Sequence, residues 1–249
     1  MSKDKIIGIN PVLEALKAGR AVQRLLIADQ RKQDREIQAI LRLARECGTE
    51  VRFVGRDALN REVPGANHQG IIALAASKEY ATLDDILKAP GEKGQAPLYL
   101  VLDGVEDPRN LGAILRTADA AGVHGVMIPD RRAAGLTETV AKTAAGAIEH
   151  VPVVKVVNVV QTLEILKKSG VWVTGAEADS DQVYWDVDFT QPTAVVLGGE
   201  DRGVRRLVRE RCDFLVSLPL MGRISSLNVS VAAGILLYEA LRQRSRKSS

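Results

Sequence analysis

The chain has 249 residues, 46% of them hydrophobic and 26% charged, with a formal net charge of +3, a composition suited to a water-soluble globular protein. No apolar run approaches the ~18 residues of a membrane-crossing helix, which excludes a helical membrane protein. Cys47 and Cys212 stand far apart, with no C-x-x-C pair and no paired histidine, which argues against a zinc site or disulfide framework and fits a reducing cytoplasm.

Charge is unevenly spread. Residues 1–78 hold 14 Lys and Arg against 9 Asp and Glu, residues 79–96 hold 2 against 4, and residues 97–249 hold 18 of each. The basic excess lies wholly in the first third, which suits a polyanionic partner and a solvated charged face equally well.

In chain order, "MSKDKIIGINPV" carries no secretory h-region, so the expected location is the cytoplasm. "GINPVLEALKAG" predicts a short helix with Pro11 at its first position and Gly19 as its stop. "VQRLLIAD", "EVRFVG" and "HQGIIALAA" predict strands, with a charged helix from about Gln33 to Cys47 between the first two. This small αβ unit is expected to span residues 1–78. Residues 79–96, with a short helical piece, then Pro and Gly-bearing turns and no apolar periodicity, are read as a linker.

From Leu98 strands and helices alternate. "LYLVLDGV", "GVMIP", "VPVVKV", "VWVTGA", "TAVVLGGE" and "FLVSLPL" read as buried strands. Helices are expected after Asn110, around "ETVAKTAAGA", in "VVQTLEILKKSG" and from about Val229 to Gln243, and the basic tail "RQRSRKSS" is expected to be unstructured. Such alternation predicts an α/β domain over residues 97–249, with a parallel sheet covered on both faces. Ligands of such sheets sit at the carboxyl ends of the strands.

No phosphate loop, G-x-G-x-x-G turn, G-x-S-x-G elbow or H-E-x-x-H helix is present, and His68, His124 and His150 share no ligand spacing, so no metal is expected. Three strand-to-loop junctions carry polar residues instead. In "DPRNLGAILRTADAAG", Leu111, Ile114, Leu115 and Ala118 form an apolar stripe, and Arg116 lies off it. Asn110 as a helix cap with Arg116 paired to Asp119 is one reading; both residues binding a phosphate or ribose at a helix N-terminus is the other. In "AVVLGGEDRGV" a buried strand runs into Gly198, Gly199 and Glu200, which allows either close approach of a ligand or a tight turn. In "SLPLMGRISSLNVSV" the residues Ser225, Ser226, Asn228 and Ser230 cluster at the mouth of an otherwise apolar helix, more than an N-cap requires.

The order and wording of these three stretches closely resemble the SpoU class of the SPOUT superfamily, AdoMet-dependent RNA ribose 2′-O-methyltransferases. The front residues, with "GINPVLEAL" and "HQGIIA", resemble the substrate-binding domain of bacterial 23S rRNA guanosine 2′-O-methyltransferases. The resemblance implies a C-terminal SPOUT domain with a trefoil knot and a homodimer with active sites near the subunit interface. Carried over by motif position, it implies Gly198, Gly199, Leu218 and Leu227 as main-chain holders of S-adenosyl-L-methionine. Arg116 falls on the essential arginine and Asn110 on its associated asparagine, with Glu200, Ser226 and Asn228 as the remaining signature polar residues. It further implies methylation of 23S rRNA. The competing readings are a tRNA ribose methyltransferase, an rRNA methylase that confers antibiotic resistance, and a non-catalytic RNA-binding assembly factor.

Overall fold

The computed structural model describes residues 3–92, 94–200 and 202–247, and the chain forms two compact units. One comprises the chain up to Glu79 together with Leu136–His150. The other comprises Tyr80–Gly135 and the chain from Val151 onward.

The first unit runs β1 (Lys3–Ile7), α1 (Ile9–Lys17), β2 (Val22–Ala28), α2 (Arg35–Glu46), β3 (Glu50–Val54), α3 (Arg56–Glu62) and β4 (Ile71–Ala76). Its sheet has the order β1-β4-β2-β3, with β4 antiparallel to both neighbours and β3 parallel to β2. Alternation along β4 divides its side chains between two cores. Ile71, Ala73 and Ala75 join Val12 and Leu16 of α1 and Ile37 and Ile40 of α2, whereas Ile72 joins Leu59 of α3. β1 and α3 are short and charged, and the hydrophobic pattern did not reveal either of them.

The "HQG" turn before β4 explains its histidine. His68 Nδ1 accepts from the Gly70 amide at 2.9 Å, so the Nε2–H points to Asn60 Oδ1 at 3.0 Å. Burial, followed by the nearby Arg56 charge, holds the ring's pKa below its ordinary value and favours this neutral form. His124 is likewise structural, accepting from the Leu98 amide at 3.1 Å, and His150 faces Glu14 Oε2 at 2.9 Å.

The segment Leu136–His150 contradicts the expectation of an unbroken second domain. Its helix α6 (Glu138–Ala144) starts where Thr137 Oγ1 accepts from the Val140 amide. It ends at left-handed Ala145 and Gly146, and Val140, Ala144 and Ile148 are buried. The physical reason for its place in the first unit is a buried ion cluster. Arg20 donates to Glu149 Oε1 at 2.7 Å, to Asp4 Oδ2 at 2.7 Å and to the Ala76 carbonyl. Lys78 reaches Glu149 Oε2 at 3.2 Å.

The second unit continues through α4 (Leu83–Glu92), β5 (Leu98–Asp103), α5 (Pro108–Ala120) and β6 (Gly125–Pro129). After α6 come β7 (Val153–Val156), α7 (Val159–Lys168), β8 (Trp172–Ala176), β9 (Thr193–Gly198), α8 (Arg206–Arg209), β10 (Phe214–Val216) and α9 (Val229–Lys247). Its six strands are all parallel, in the order β10-β8-β9-β5-β6-β7. β5 is wholly buried at the centre, the environment its unbroken apolar run demands.

The short helical piece expected in the stretch read as a linker is α4, whose start is a reciprocal cap. Thr82 Oγ1 accepts from the Asp85 amide at 3.2 Å, and Asp85 Oδ2 accepts from the Thr82 amide at 3.0 Å. Ile86 is fully buried beside Tyr99, and the Tyr99 hydroxyl donates to the Ile86 carbonyl at 3.0 Å, so this stretch belongs to the core. The closing helix runs on to Lys247, where a free tail was expected. Arg244 anchors it by donating to the carbonyls of Phe189, Ala96, Pro97 and Gln191 at 2.6–2.9 Å.

Candidate active site

Because β5, β9 and β10 run in parallel, their carboxyl ends share one edge of the sheet, and each exit loop carries one of the three polar junctions. At this edge lies a cavity of about 310 Å³. Gly198, Gly199, Glu200, Leu218, Ser226 and Leu227 line it, with Leu197, Val216, Leu220 and Ala232 supplying further apolar wall. Four residues assigned to cofactor binding from sequence, Gly198, Gly199, Leu218 and Leu227, are thus brought to one pocket.

The two glycines are demanded first by the protein's own backbone. A Cβ on Gly198 would stand 1.8 Å from the Gly203 carbonyl carbon, and one on Gly199 would stand 2.1 Å from the Gly104 oxygen. The Gly199 amide donates to the Asp103 carbonyl at 3.1 Å, and the Gly203 amide to the Gly199 carbonyl at 3.0 Å. The loop after β9 is therefore a tight turn pressed against the end of β5. Gly199→Ala is expected to displace this turn and cost about 2 kcal/mol. Urea unfolding measures the loss, and a variant with the wild-type midpoint would show that the turn is not held in this way.

A chain of side-chain hydrogen bonds joins the three junctions. Asn110 Nδ2 donates to Glu200 Oε1, and Asn228 Nδ2 donates to Asn110 Oδ1 at 3.1 Å. Asn228 Oδ1 in turn accepts from the amide of Ser230 at 2.9 Å and from its hydroxyl at 2.5 Å. The carbonyl of Asn228 accepts from Val231 and Ala232, so this residue also opens α9. Each amide is thereby fixed in orientation. Asn110 does not cap α5: Asp107 does, accepting from the Arg109 amide at 2.8 Å, which leaves the Asn110 side chain for the relay.

Arg116 occupies a different place. The apolar stripe Leu111, Ile114, Leu115 and Ala118 is buried as expected, and α5 lies along α9. Arg116 is exposed and has no hydrogen-bond or ion-pair partner among the described residues, so the expected alternative, a pair with Asp119, does not form. Six residues on from Asn110, it lies ~9 Å along the helix axis and ~120° around it. Arg116 is not among the residues that line the cavity.

Sequence reasoning missed one member of this edge. Asp103, the last residue of β5, has a fully buried side chain, and Arg205 binds it through Nε at 2.7 Å, Nη2 at 2.5 Å and its own amide at 2.9 Å. The available signal was a carboxylate at the end of an otherwise apolar strand, "LYLVLD". No group of three His, Cys, Asp or Glu among the described residues is placed to hold a metal, and none of their helices is long and apolar enough to cross a membrane.

Comparison with known proteins agrees with this architecture. Residues 97–238 match the SpoU rRNA Methylase family, and residues 5–81 match the family described as RNA 2′-O ribose methyltransferase substrate binding. The chain is 48% identical over 241 residues to YacO of Bacillus subtilis (strain 168), named for the TrmH family of tRNA/rRNA methyltransferases, covering 97% of this chain and 96% of that one. The crystal structure of the SpoU methyltransferase AviRb from Streptomyces viridochromogenes, in complex with the cofactor AdoMet, superposes with a TM-score of 0.81. It shares 29% identity and covers 97% of this chain and 90% of that one. The A. aeolicus TrmH/SpoU tRNA modifying enzyme superposes with a TM-score of 0.57 at 35% identity, covering 67% of this chain and 86% of that one. A catalytic unit matched over residues 97–238, preceded by a matched substrate-binding unit, identifies the chain as a member of the SpoU/TrmH family of RNA ribose methyltransferases.

Proposed function

We propose that this protein transfers a methyl group from AdoMet to the ribose 2′-hydroxyl of a guanosine in 23S rRNA, acting in the cytoplasm as a homodimer with the knotted catalytic domain of its family. The observation that carries the reading is the Glu200–Asn110–Asn228 relay standing at the rim of the cavity lined by Gly198, Gly199, Leu218, Ser226 and Leu227.

The residues present fit the methyl donor. Leu197, Val216, Leu218 and Leu227 wall an apolar slot for a purine, and the main chain of the loop at Gly198 and Gly199 borders that slot. When bound there, AdoMet supplies an electrophilic methyl on a sulfonium centre. The remaining task falls to this chain: it must align the 2′-oxygen with that carbon and let its proton go. The relay holds Asn110 and Asn228 in fixed orientation beside Glu200, so their amides position the sugar. A guanidinium offers donors and no acceptor, so Arg116 is an anchor for phosphate and for the developing charge on the 2′-oxygen, with the proton passing to water. Its place on α5, away from the cavity of its own chain, fits delivery to the cavity of a second copy.

The choice of rRNA rests on the front unit. Its match to a substrate-binding family covers residues 5–81, where the basic excess lies, and the tRNA modifying enzyme from A. aeolicus overlays only 67% of this chain. An RNA-binding factor without activity would have no need of the complete set Asn110, Arg116, Glu200, Ser226 and Asn228.

The test is incubation with labelled AdoMet and protein-free large-subunit rRNA beside bulk tRNA, followed by mapping of the labelled nucleotide. Label at one ribose of a large-subunit rRNA guanosine is expected. Label in tRNA alone would overturn the substrate, and label on a base, or none, would overturn the reaction.

A further inference from the structure

A second cavity, of about 510 Å³, shares the loop Gly199–Gly203 with the first. The shared residues are Gly199, Glu200, Arg202 and Gly203, so the two cavities lie on either side of one turn. The second opens at the carboxyl ends of β5, β6 and β9, and four arginines line it: Arg131, Arg132, Arg202 and Arg205.

These arginines are not equivalent. Arg205 is already neutralised, since the buried Asp103 carboxylate binds it through two side-chain nitrogens and its amide. Arg131, Arg132 and Arg202 are exposed and have no hydrogen-bond or ion-pair partner among the described residues. Arg132 adopts a left-handed backbone, φ 57°, which side chains bearing a Cβ rarely take. Of the lining carboxylates, Asp103 is paired with Arg205, while Glu106 and Glu200, which keeps its charge under the hydrogen bond from the neutral Asn110 amide, stand against three guanidinium groups. A pocket with this surplus of forked donors is built for an anion with several oxygens.

We propose that Arg131, Arg132 and Arg202 form a phosphodiester-binding subsite that holds the RNA backbone next to the nucleotide being methylated. The inference rests on the RNA-methylating reading above and adds a binding site to it. Gly199, Glu200, Arg202 and Gly203 form the common wall: Glu200 bonds the relay, and Arg202 borders both cavities. A phosphate fixed by Arg202 therefore fixes the backbone register at the turn that carries Glu200. Positioning of this kind acts on substrate binding, and Arg131 and Arg132 stand outside the methyl donor's own pocket.

The experiment uses the full chain and the RNA that the wild type methylates, whether protein-free large-subunit rRNA or bulk tRNA. Arg131→Ala with Arg202→Ala leaves left-handed Arg132 undisturbed and is the principal variant; Arg131→Glu, at a residue that lines the second cavity and not the first, is the second, and Lys168→Ala on α7 serves as a control for removal of a remote charge. RNA affinity, the salt dependence of that affinity, KM and kcat for RNA, and AdoMet affinity are measured for each. In the double variant we expect RNA affinity to fall about tenfold or more and the slope of log K against log salt to flatten by roughly 1–2 units, one for each phosphate that is no longer neutralised. In Arg131→Glu, AdoMet affinity is expected to stay at wild-type level, and the rise in KM to exceed the fall in kcat. RNA affinity and salt slope no different from those of Lys168→Ala would overturn the subsite while leaving the methylation reading intact. Equal loss of AdoMet and RNA binding in Arg131→Glu would overturn it too, by showing a disrupted loop. A wild-type chain that neither binds nor methylates RNA would overturn both.

Discussion

Arg116→Ala is expected to lower the methylation rate by about 10²–10³-fold, the range seen when one preorganised donor to a developing oxyanion is removed. The variant should fold as the wild type does, because the side chain is exposed and makes no hydrogen bond or ion pair with any described residue. AdoMet affinity should also hold, since Arg116 does not line the cavity of its own chain. Single-turnover methylation with labelled donor, a binding isotherm for AdoMet and a urea melt separate these effects. Arg116→Lys should recover only part of the rate, because a point charge does not reproduce the planar fork of a guanidinium. A rate within threefold of wild type, with folding and donor binding intact, would remove Arg116 from the reaction.

Removing Arg20 should damage stability instead. Its side chain is 8% exposed and that of Glu149 only 2%, so Arg20→Ala leaves a buried carboxylate short of its main counter-charge. Breaking a buried pair from one side costs about 3–5 kcal/mol, and the remaining Lys78 contact places the expected loss near 3 kcal/mol. The loss should appear in urea unfolding followed by amide exchange in the first unit. Replacing Arg20 and Glu149 together by apolar residues should recover part of it, because no unpaired charge is then left inside. A single-variant loss under 1 kcal/mol would mean that the Leu136–His150 segment is held by its apolar contacts, Val140, Ala144 and Ile148, alone.

Much of the fold was legible because hydrophobic periodicity reports burial. The unbroken apolar runs of β5, β6 and β9 demanded a sheet covered on both faces, and the stripe on α5 demanded a core beneath it. Short elements escaped for the same reason. β1 and α3 carry too few apolar residues to show a period, and the short helical piece that is α4 gave no sign in its pattern that Ile86 joins the core. The tail misled because its basic composition resembles a solvated end, whereas Arg244 spends its donors on carbonyls far away in sequence.

For the site, the residues were legible and the geometry was not. The amino-acid sequence by itself determined which chemistry is available: paired glycines after a buried strand, a carboxylate beside them, amides and hydroxyls at two helix mouths, and a lone arginine off an apolar stripe. Only the tertiary structure decided which of these meet. Asn110 reaches Glu200 across 90 residues and Asn228 across 118, contacts made by parallel strands ending on one edge and invisible to any local pattern. The structure also decided that Gly198 and Gly199 are fixed by backbone crowding, that Asp103 is committed to Arg205, and that Leu136–His150 belongs to the first unit. The physical reason is common to all three. Propensity and periodicity act over a few residues, whereas steric exclusion and charge pairing act between whichever atoms the finished fold brings within a few ångströms.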